Sequence, residues 1–544
     1  MSFSHAPHLP KGAVACELGL ASDIGAQILE DGGSAADAII ATTLAVGTVA
    51  SYHAGIGGGG FALVKQSDGN YRSLDFRSAA PASLTSDLLF TKPDSTGVGG
   101  LSVAVPGELR GFEELHKRYG KLPWKRLFQP SIDLARNGFA LTEDLLHVRH
   151  KADRESHSWI HKHPILSRMY TKDGVFLPAG ATLTRPKFAD TLELIAEQGA
   201  GVFYEGTLAQ DIVDAVIADG GVLALDDMKN YRVREIKPLS ITYKKKFKVT
   251  SPSAPASGGA FLLALNILSN YSDVGGPKSI VDTHRMIESL KFAFAHRTLI
   301  GDPSFVPGLD AVQDEFVNPK LGRNIQAKIH EHRALHSEAY NTNSLEVKQD
   351  HGTSNIVVAD SSGLVITITT TLTLWWGSRI VVPSSDIVLN DSIEDFSVEG
   401  QSNHFGYRPT PANFVRGNKR PLSSSSPFII EDLEGRFRYA GGAAGGSRII
   451  SCNVQQARNF MDYGMNASQA LAHHRVHDQI SPNETHLEVG RFDEDFVAEL
   501  EKMGHRIKWL PTESVGSSIS YDPDTGMYQA EGEPRLEGSG GRVV

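Results

Sequence analysis

The sequence predicts an α+β chain on three observations. Through the front two thirds, apolar residues recur at a helical interval punctuated by Gly and Pro. From residue 353 onward the pattern changes to the alternation of strands, and no Pro-, Ser- or Gly-rich linker separates the two regions. One large intertwined body is expected rather than a string of domains.

In order along the chain, Ser22 is placed to cap a first helix that turns Ile24 and Ile28 to one side and stops at Gly32-Gly33. Ser34, with Asp37 three residues on, reads as a capping box opening a second helix rich in small residues. Helical spacing continues from Pro106 to Gly138 and from Asp190 to Gly199. Gly55-Ile56-Gly57-Gly58-Gly59-Gly60 satisfies the GxGxxG pattern of a dinucleotide loop, but in the wrong order. A helical stretch precedes the glycines and the strand-like Phe61-Ala62-Leu63-Val64 follows, so the run is assigned to close packing rather than to a nucleotide. Polarity rises between Gly322 and Asp350, where a solvent-accessible approach is expected. Beyond it, Ile356-Val357-Val358 and the run from Leu364 to Leu374 read as a hairpin turning at Ser361-Ser362-Gly363. In the second arm, Leu364, Ile366, Ile368, Leu372 and Leu374 alternate with Val365, Thr367, Thr369, Thr371 and Thr373. One face is therefore apolar, the other carries hydroxyls, and Thr371 and Thr373 point the same way.

Bulk properties narrow the function. A net charge of -10 over 544 residues, with no basic run longer than Lys244-Lys245-Lys246, excludes a nucleic-acid partner and favours a small molecule. Two cysteines, Cys16 and Cys452, exclude a disulfide scaffold and leave open whether they pair. The longest apolar run, around Ala38 to Ala50, is too short to span a bilayer, and no basic-then-apolar export signal is read at Met1-Ser2-Phe3-Ser4-His5. His330, His332 and His336 fall at helical spacing in a polar region without an acidic fourth partner. They read as a solvated helix face, and neither a metal nor a cofactor is expected.

The chemistry concentrates at Gly352-Thr353, where a polar segment ends and a strand begins. Cleavage of that bond gives Thr353 a free α-amine, with an intrinsic pKa of ~7.7–8.0, beside its own hydroxyl, so one residue carries both base and nucleophile. Glycine on the acyl side has no Cβ to shield the carbonyl.

Further motifs accompany this junction: Gly57-Gly58-Gly59-Gly60-Phe61, Phe76-Arg77-Ser78-Ala79-Ala80-Pro81, Val105-Pro106-Gly107 and Tyr119-Gly120-Lys121-Leu122-Pro123-Trp124 before it. After it come Thr371-Leu372-Thr373, Glu394-Asp395-Phe396, Lys419-Arg420-Pro421-Leu422-Ser423-Ser424 and Gly445-Gly446-Ser447-Arg448. In this order and spacing the chain resembles the γ-glutamyltranspeptidase family over nearly its whole length. The resemblance implies the four-layer αββα sandwich of N-terminal-nucleophile hydrolases, autoprocessed into an intertwined large subunit, 1–352, and small subunit, 353–544. It implies transfer of a γ-glutamyl group from glutathione or a related amide to an amino acid, peptide or water. It assigns Thr353 as nucleophile, Thr371 as the hydroxyl that holds it, and the backbone N–H groups of Gly445 and Gly446 as oxyanion donors. Arg77, Ser423 and Ser424 would bind the α-carboxylate and Asp395 the α-ammonium, opposite charges placed apart in one pocket.

Two departures from the family pattern stand out. Thr373 replaces an asparagine near the ammonium, keeping a hydroxyl and losing an amide. Ser354-Asn355 follows the nucleophile where Thr-His is common. Phe405 and Tyr407 are candidates to cover the site as a lid. Family members are commonly exported, and Asn270, Asn466 and Asn483 begin acceptor sequons. The competing readings are an acylase of cephalosporin or glutaryl type on the same fold, and an unprocessed binding protein.

Overall fold

The computed structural model describes residues 10–91, 94–156, 159–340, 352–400, 409–511 and 514–544. Strands Gly12–Cys16 (β1), Gly59–Lys65 (β2), Tyr71–Phe76 (β3), Arg234–Ile236 (β4), Pro238–Tyr243 (β5), Phe247–Pro252 (β6), Gly352–Asp360 (β7), Val365–Thr373 (β8), Phe428–Asp432 (β9), Phe437–Ala444 (β10), Val515–Asp522 (β11), Met527–Glu531 (β12) and Gly540–Val543 (β13) form two antiparallel sheets. The seven-stranded sheet runs β13-β1-β7-β8-β2-β3-β4, and the six-stranded sheet runs β12-β11-β10-β9-β6-β5. Between them, Ala13, Ala15, Val357 and Ala359 meet Ile429, Ala440 and Ile519, a thin apolar seam of mostly small side chains.

Helices cover both outer faces. Gly19–Glu30 (α1) and Ala35–Val49 (α2) lie on the first sheet, where Ile356, Val358, Ile366 and Ile368 turn outward into the same core as Ile39 and Ile40. Gly258–Leu268 (α3), Ile280–Arg297 (α4) and Arg448–Tyr463 (α5) lie on the second, over Phe428, Ile430 and Tyr439. The layers are αββα. α2 is buried all round and opens with the expected capping box of Ser34 and Asp37. Its Thr42, Thr43 and Thr48 hydroxyls donate back to the carbonyls of Ala38, Ile39 and Leu44, which lets threonine sit in an apolar layer without an unmet donor.

Several local expectations change. Ser22 does not cap α1. The helix starts at Gly19, whose N–H reaches the Gly538 carbonyl (2.7 Å), while the Ser22 hydroxyl donates to Gly540 (2.8 Å). Both partners come from the far end of the chain, beyond any local reading. The front of the chain supplies β1 to β6 as well as helices; β1 and β2 are buried along their whole length and so lack a period-2 signal. His330, His332 and His336 fall beyond the helix Pro319–Gln326, in irregular chain that holds an isolated bridge between His330 and Arg333, and are exposed rather than on a helix face. Instead, His284 and Glu288 on α4 cluster with His505. His284 Nε2 meets the His330 carbonyl (2.7 Å), so its Nδ1 must accept from His505 Nε2 (2.7 Å), and Glu288 is held by the Tyr340 hydroxyl (2.9 Å) and Lys291 (3.3 Å). The two histidines are thus engaged with each other, and the carboxylate with Tyr340 and Lys291. Part of the polar approach, 341–350, and the lid candidates Phe405 and Tyr407 lie outside the described residues. Cys16 and Cys452 are buried, unpaired thiols, and burial pushes Cys16 up to about 12. Among the described residues no helix is long and apolar enough to cross a membrane.

Candidate active site

β7 and β8 form the predicted hairpin, and their pairing jumps at one point. Thr353 faces Thr371 and Gly352 faces Thr373, so Leu372 is an extra residue opposite the Gly352-Thr353 bond. The bulge draws three threonine groups together. The Thr353 hydroxyl donates to Thr371 Oγ1 (3.1 Å), the Thr371 hydroxyl donates to the Gly352 carbonyl, and the Thr373 N–H donates to Thr371 Oγ1 (2.7 Å). A hydroxyl has one proton and two lone pairs, so Thr371 is fully engaged and the direction of each bond is fixed. Its proton polarises the carbonyl of the bond that precedes Thr353, and its oxygen holds Thr353. Thr373 sits at a φ of +89°, where a β-branched residue is strained. A Cβ on Gly352 would come within 2.7 Å of the Leu374 carbonyl oxygen, so close approach is what requires glycine there. A Cβ on Gly58, behind the site, would likewise lie 2.3 Å from the Thr371 carbonyl oxygen. Thr353 is only 6% exposed.

The charged pair lies along one connected path. The Thr373 hydroxyl meets Ser392 Oγ (3.0 Å), which belongs to the short 3-10 helix Ser392–Asp395. Asp395 pairs directly with Arg77, which follows β3 and is fully buried. The two charges are expected apart from the sequence; instead they form a buried ion pair, each recovering from the other part of its lost solvation. Nε and Nη1 of Arg77 meet no acceptor among the described residues, so the guanidinium retains donors for a carboxylate. Asn413 joins the next part, donating to the Asp395 carbonyl (2.7 Å) and accepting from the Leu422 N–H (3.0 Å), one residue before Ser423. Arg420 pins this segment to Asp75 (2.8 Å), whose carboxylate accepts from the Arg77 N–H (2.9 Å). Ser423 spends its proton on Ser425 (2.9 Å), whereas Ser424 Oγ accepts from Arg297 (3.2 Å). Asp391, beside these acids, is pushed well above the usual carboxylate range by burial and by the charges of Glu394 and Asp395, although Oδ1 accepts from the Leu374 N–H (3.0 Å).

The glycine pair arrives from the second sheet. Gly441 on β10 accepts from Thr367 (3.5 Å), which faces Val357, and Gly442 abuts Asn355, so β10 advances toward Thr353 as its numbering rises. Gly445 and Gly446 follow its end at φ +117° and +61°, in the turn leading to α5. Neither N–H has a hydrogen-bond acceptor among the described residues. On the other face of β7 and β8, Ser354 donates to Glu17 (2.5 Å) and Thr370 donates to Glu108. Burial pushes both carboxyls up to about 7 and His53, 4.0 Å from Glu17, down to about 4. Sequence reasoning missed Glu17, Glu108, Arg297, Ser392 and Asn413, none of which stands in a motif that marks it.

A sandwich with threonine near the start of a central strand defines the N-terminal-nucleophile hydrolase class. The chain is similar to a cephalosporin acylase from Bacillus halodurans, with a TM-score of 0.85 and 25% identity over 100% of this chain and 98% of that one. It also matches a γ-glutamyltranspeptidase from Helicobacter pylori (TM-score 0.54, 31% identity, 59% of this chain and 92% of that one). The family model described as gamma-glutamyltranspeptidase matches residues 21–543. A "Glutathione hydrolase proenzyme" of Arthroderma benhamiae is 39% identical over 98% of this chain and 93% of its own. The chain belongs to the γ-glutamyltranspeptidase family.

Proposed function

We propose that this protein is a γ-glutamyltransferase and glutathione hydrolase that forms its nucleophile by cutting its own chain at Gly352-Thr353. The observation that carries the reading is the directed hydroxyl chain from Thr353 through Thr371 to the Gly352 carbonyl, connected to the Arg77–Asp395 pair. In the precursor, the Thr353 oxygen attacks the Gly352 carbonyl, the acyl group shifts from nitrogen to oxygen, and water hydrolyses the ester to free residues 353–544 from 1–352. The α-amine then takes the proton from Thr353 Oγ as it attacks the γ-carbonyl of the donor. Gly445 and Gly446 stabilise the oxyanion, and losing such a donor typically costs about 3 to 4 kcal/mol of barrier. The leaving amine departs protonated, and an amino acid, peptide or water then takes the glutamyl group from Thr353.

The Arg77–Asp395 pair serves as a zwitterion receptor. The α-carboxylate exchanges for Asp395 at Arg77, with help from Ser424, while the α-ammonium takes Asp395, with Thr373 beside it. The charges are already desolvated, so the donor swaps one ion pair for two. An acylase for glutaryl groups needs no group for an ammonium, so the buried Asp395 favours the glutamyl reading. The test compares release from a γ-glutamyl anilide and a glutaryl anilide under ping-pong conditions. Turnover of the first well above the second supports the proposal; the reverse order supports the acylase.

A further inference from the structure

Arg297 ends α4, a basic residue in the last turn of a helix. It is 8% exposed, and its guanidinium reaches two serines rather than solvent. Nε donates to Ser257 Oγ (2.8 Å) and Nη2 donates to Ser424 Oγ (3.2 Å). Ser257 passes the link on, its hydroxyl donating to the Ser423 carbonyl (2.6 Å) and its N–H to the Ser425 carbonyl (2.9 Å).

A guanidinium has donors and no acceptor, so at each serine the hydroxyl oxygen must receive the bond and its proton must point elsewhere. For Ser257 that proton goes to Ser423. For Ser424 no acceptor takes it among the described residues. Ser423 differs, because its proton is engaged by Ser425 and its oxygen accepts from the Ser425 N–H (3.2 Å). Two adjacent serines therefore present opposite faces: Ser424 has a proton to give and Ser423 does not.

We infer that Arg297 is a positioning residue for donor recognition, which fixes the Ser424 hydroxyl as a proton donor to the substrate's α-carboxylate and sets a second positive charge one hydroxyl behind it. This rests on the proposed γ-glutamyl reading of the site. Arg297 itself does not touch the substrate. Its contribution is to remove the alternative hydroxyl rotamers that would turn the Ser424 proton away, and to polarise that O–H bond. The effect is specific to a donor that carries a carboxylate.

Steady-state kinetics on the processed enzyme test this, with a γ-glutamyl anilide and its counterpart lacking the α-carboxylate, 4-aminobutanoyl anilide. For Arg297→Gln the expected result is a rise in KM for the γ-glutamyl anilide of roughly 10-fold with kcat little changed, since a hydrogen bond to a charged group is being lost. The kcat/KM for the carboxylate-free anilide should change by less than about 2-fold, because the interaction removed is absent in that substrate. In a Ser424→Ala background, Arg297→Gln should have almost no further effect on either substrate. Arg297→Lys, which keeps the charge and loses the double reach, should lie between wild type and Arg297→Gln, and serves as the test if the glutamine variant does not fold. Equal losses on both substrates, or full additivity with Ser424→Ala, would show a purely structural anchor and overturn the inference. Failure of the wild type to cleave the γ-glutamyl anilide would instead overturn the proposed function.

Discussion

Thr371 is engaged on all sides, and that makes its replacements informative. Thr371→Val should leave the Gly352 carbonyl and the Thr353 hydroxyl without their shared partner, slowing self-cleavage by at least ~10-fold, whereas Thr371→Ser keeps the hydroxyl and should process nearly normally. A time course on denaturing gels checks both. Asp395→Asn removes one member of a buried pair, strands the Arg77 charge and should lower kcat/KM for a γ-glutamyl anilide by about 100-fold or more. Glu17 makes a pH prediction. Its carboxyl is raised from 4.5 to about 7 in the fold, chiefly by burial, so the folded state binds the extra proton between those values. Its stability contribution is full below the lower value and is lost as pH rises through the higher one. Glu17→Gln still accepts from Ser354 and should therefore melt above wild type at about pH 9 and alongside it at about pH 4.5. Thermal unfolding across that range reads the difference. Thr353 was marked by its small-residue junction and Thr371 by family likeness rather than by its alternating strand; their hydrogen-bonded contact comes only with the fold. Ser392, Asn413 and Arg297 were not marked, because what defines them is which side chain they meet from another part of the chain.

Among the elements, the hairpin of β7 and β8 was readable because its turn and its alternation are local. Its bulge was not, since a one-residue slip in pairing leaves no mark on either strand read alone. The capping box of α2 could be seen in four residues, while the start of α1 depends on Gly538 and Gly540 and was misplaced. β10 gives an element-scale prediction. A Cβ on Gly442 would lie 2.0 Å from Oδ1 of the buried Asn355, which Thr369 holds in place, so the Asn355 side chain already fills the space between the two sheets there. Gly442→Ala should push β10 from β7, displace Gly445 and Gly446, and reduce kcat by more than ~10-fold with a lowered melting temperature. Normal kcat in a stable Gly442→Ala protein would break the proposed link between that strand and the oxyanion donors.

For the whole molecule, the mixed α and β composition was legible, but the arrangement into four layers followed from family likeness rather than from periodicity. β1 and β2, buried on both faces, carry no alternation that would assign them to a sheet. Their placement has a consequence, since β1 pairs with β7 and β2 with β8, and the central strands of the small segment are thus flanked on both sides by strands of the large one. Cleaved protein should migrate as one species under native conditions and as two only in denaturant. The central claim is that a backbone cut creates the active residue, and intact mass with N-terminal sequencing of active protein, beside a Thr353→Ala variant, tests it most directly. The account predicts two fragments meeting at Gly352 and Thr353 in the wild type, and a single inactive chain in the variant. Full activity in an uncut chain, or cleavage and turnover in the variant, would contradict it.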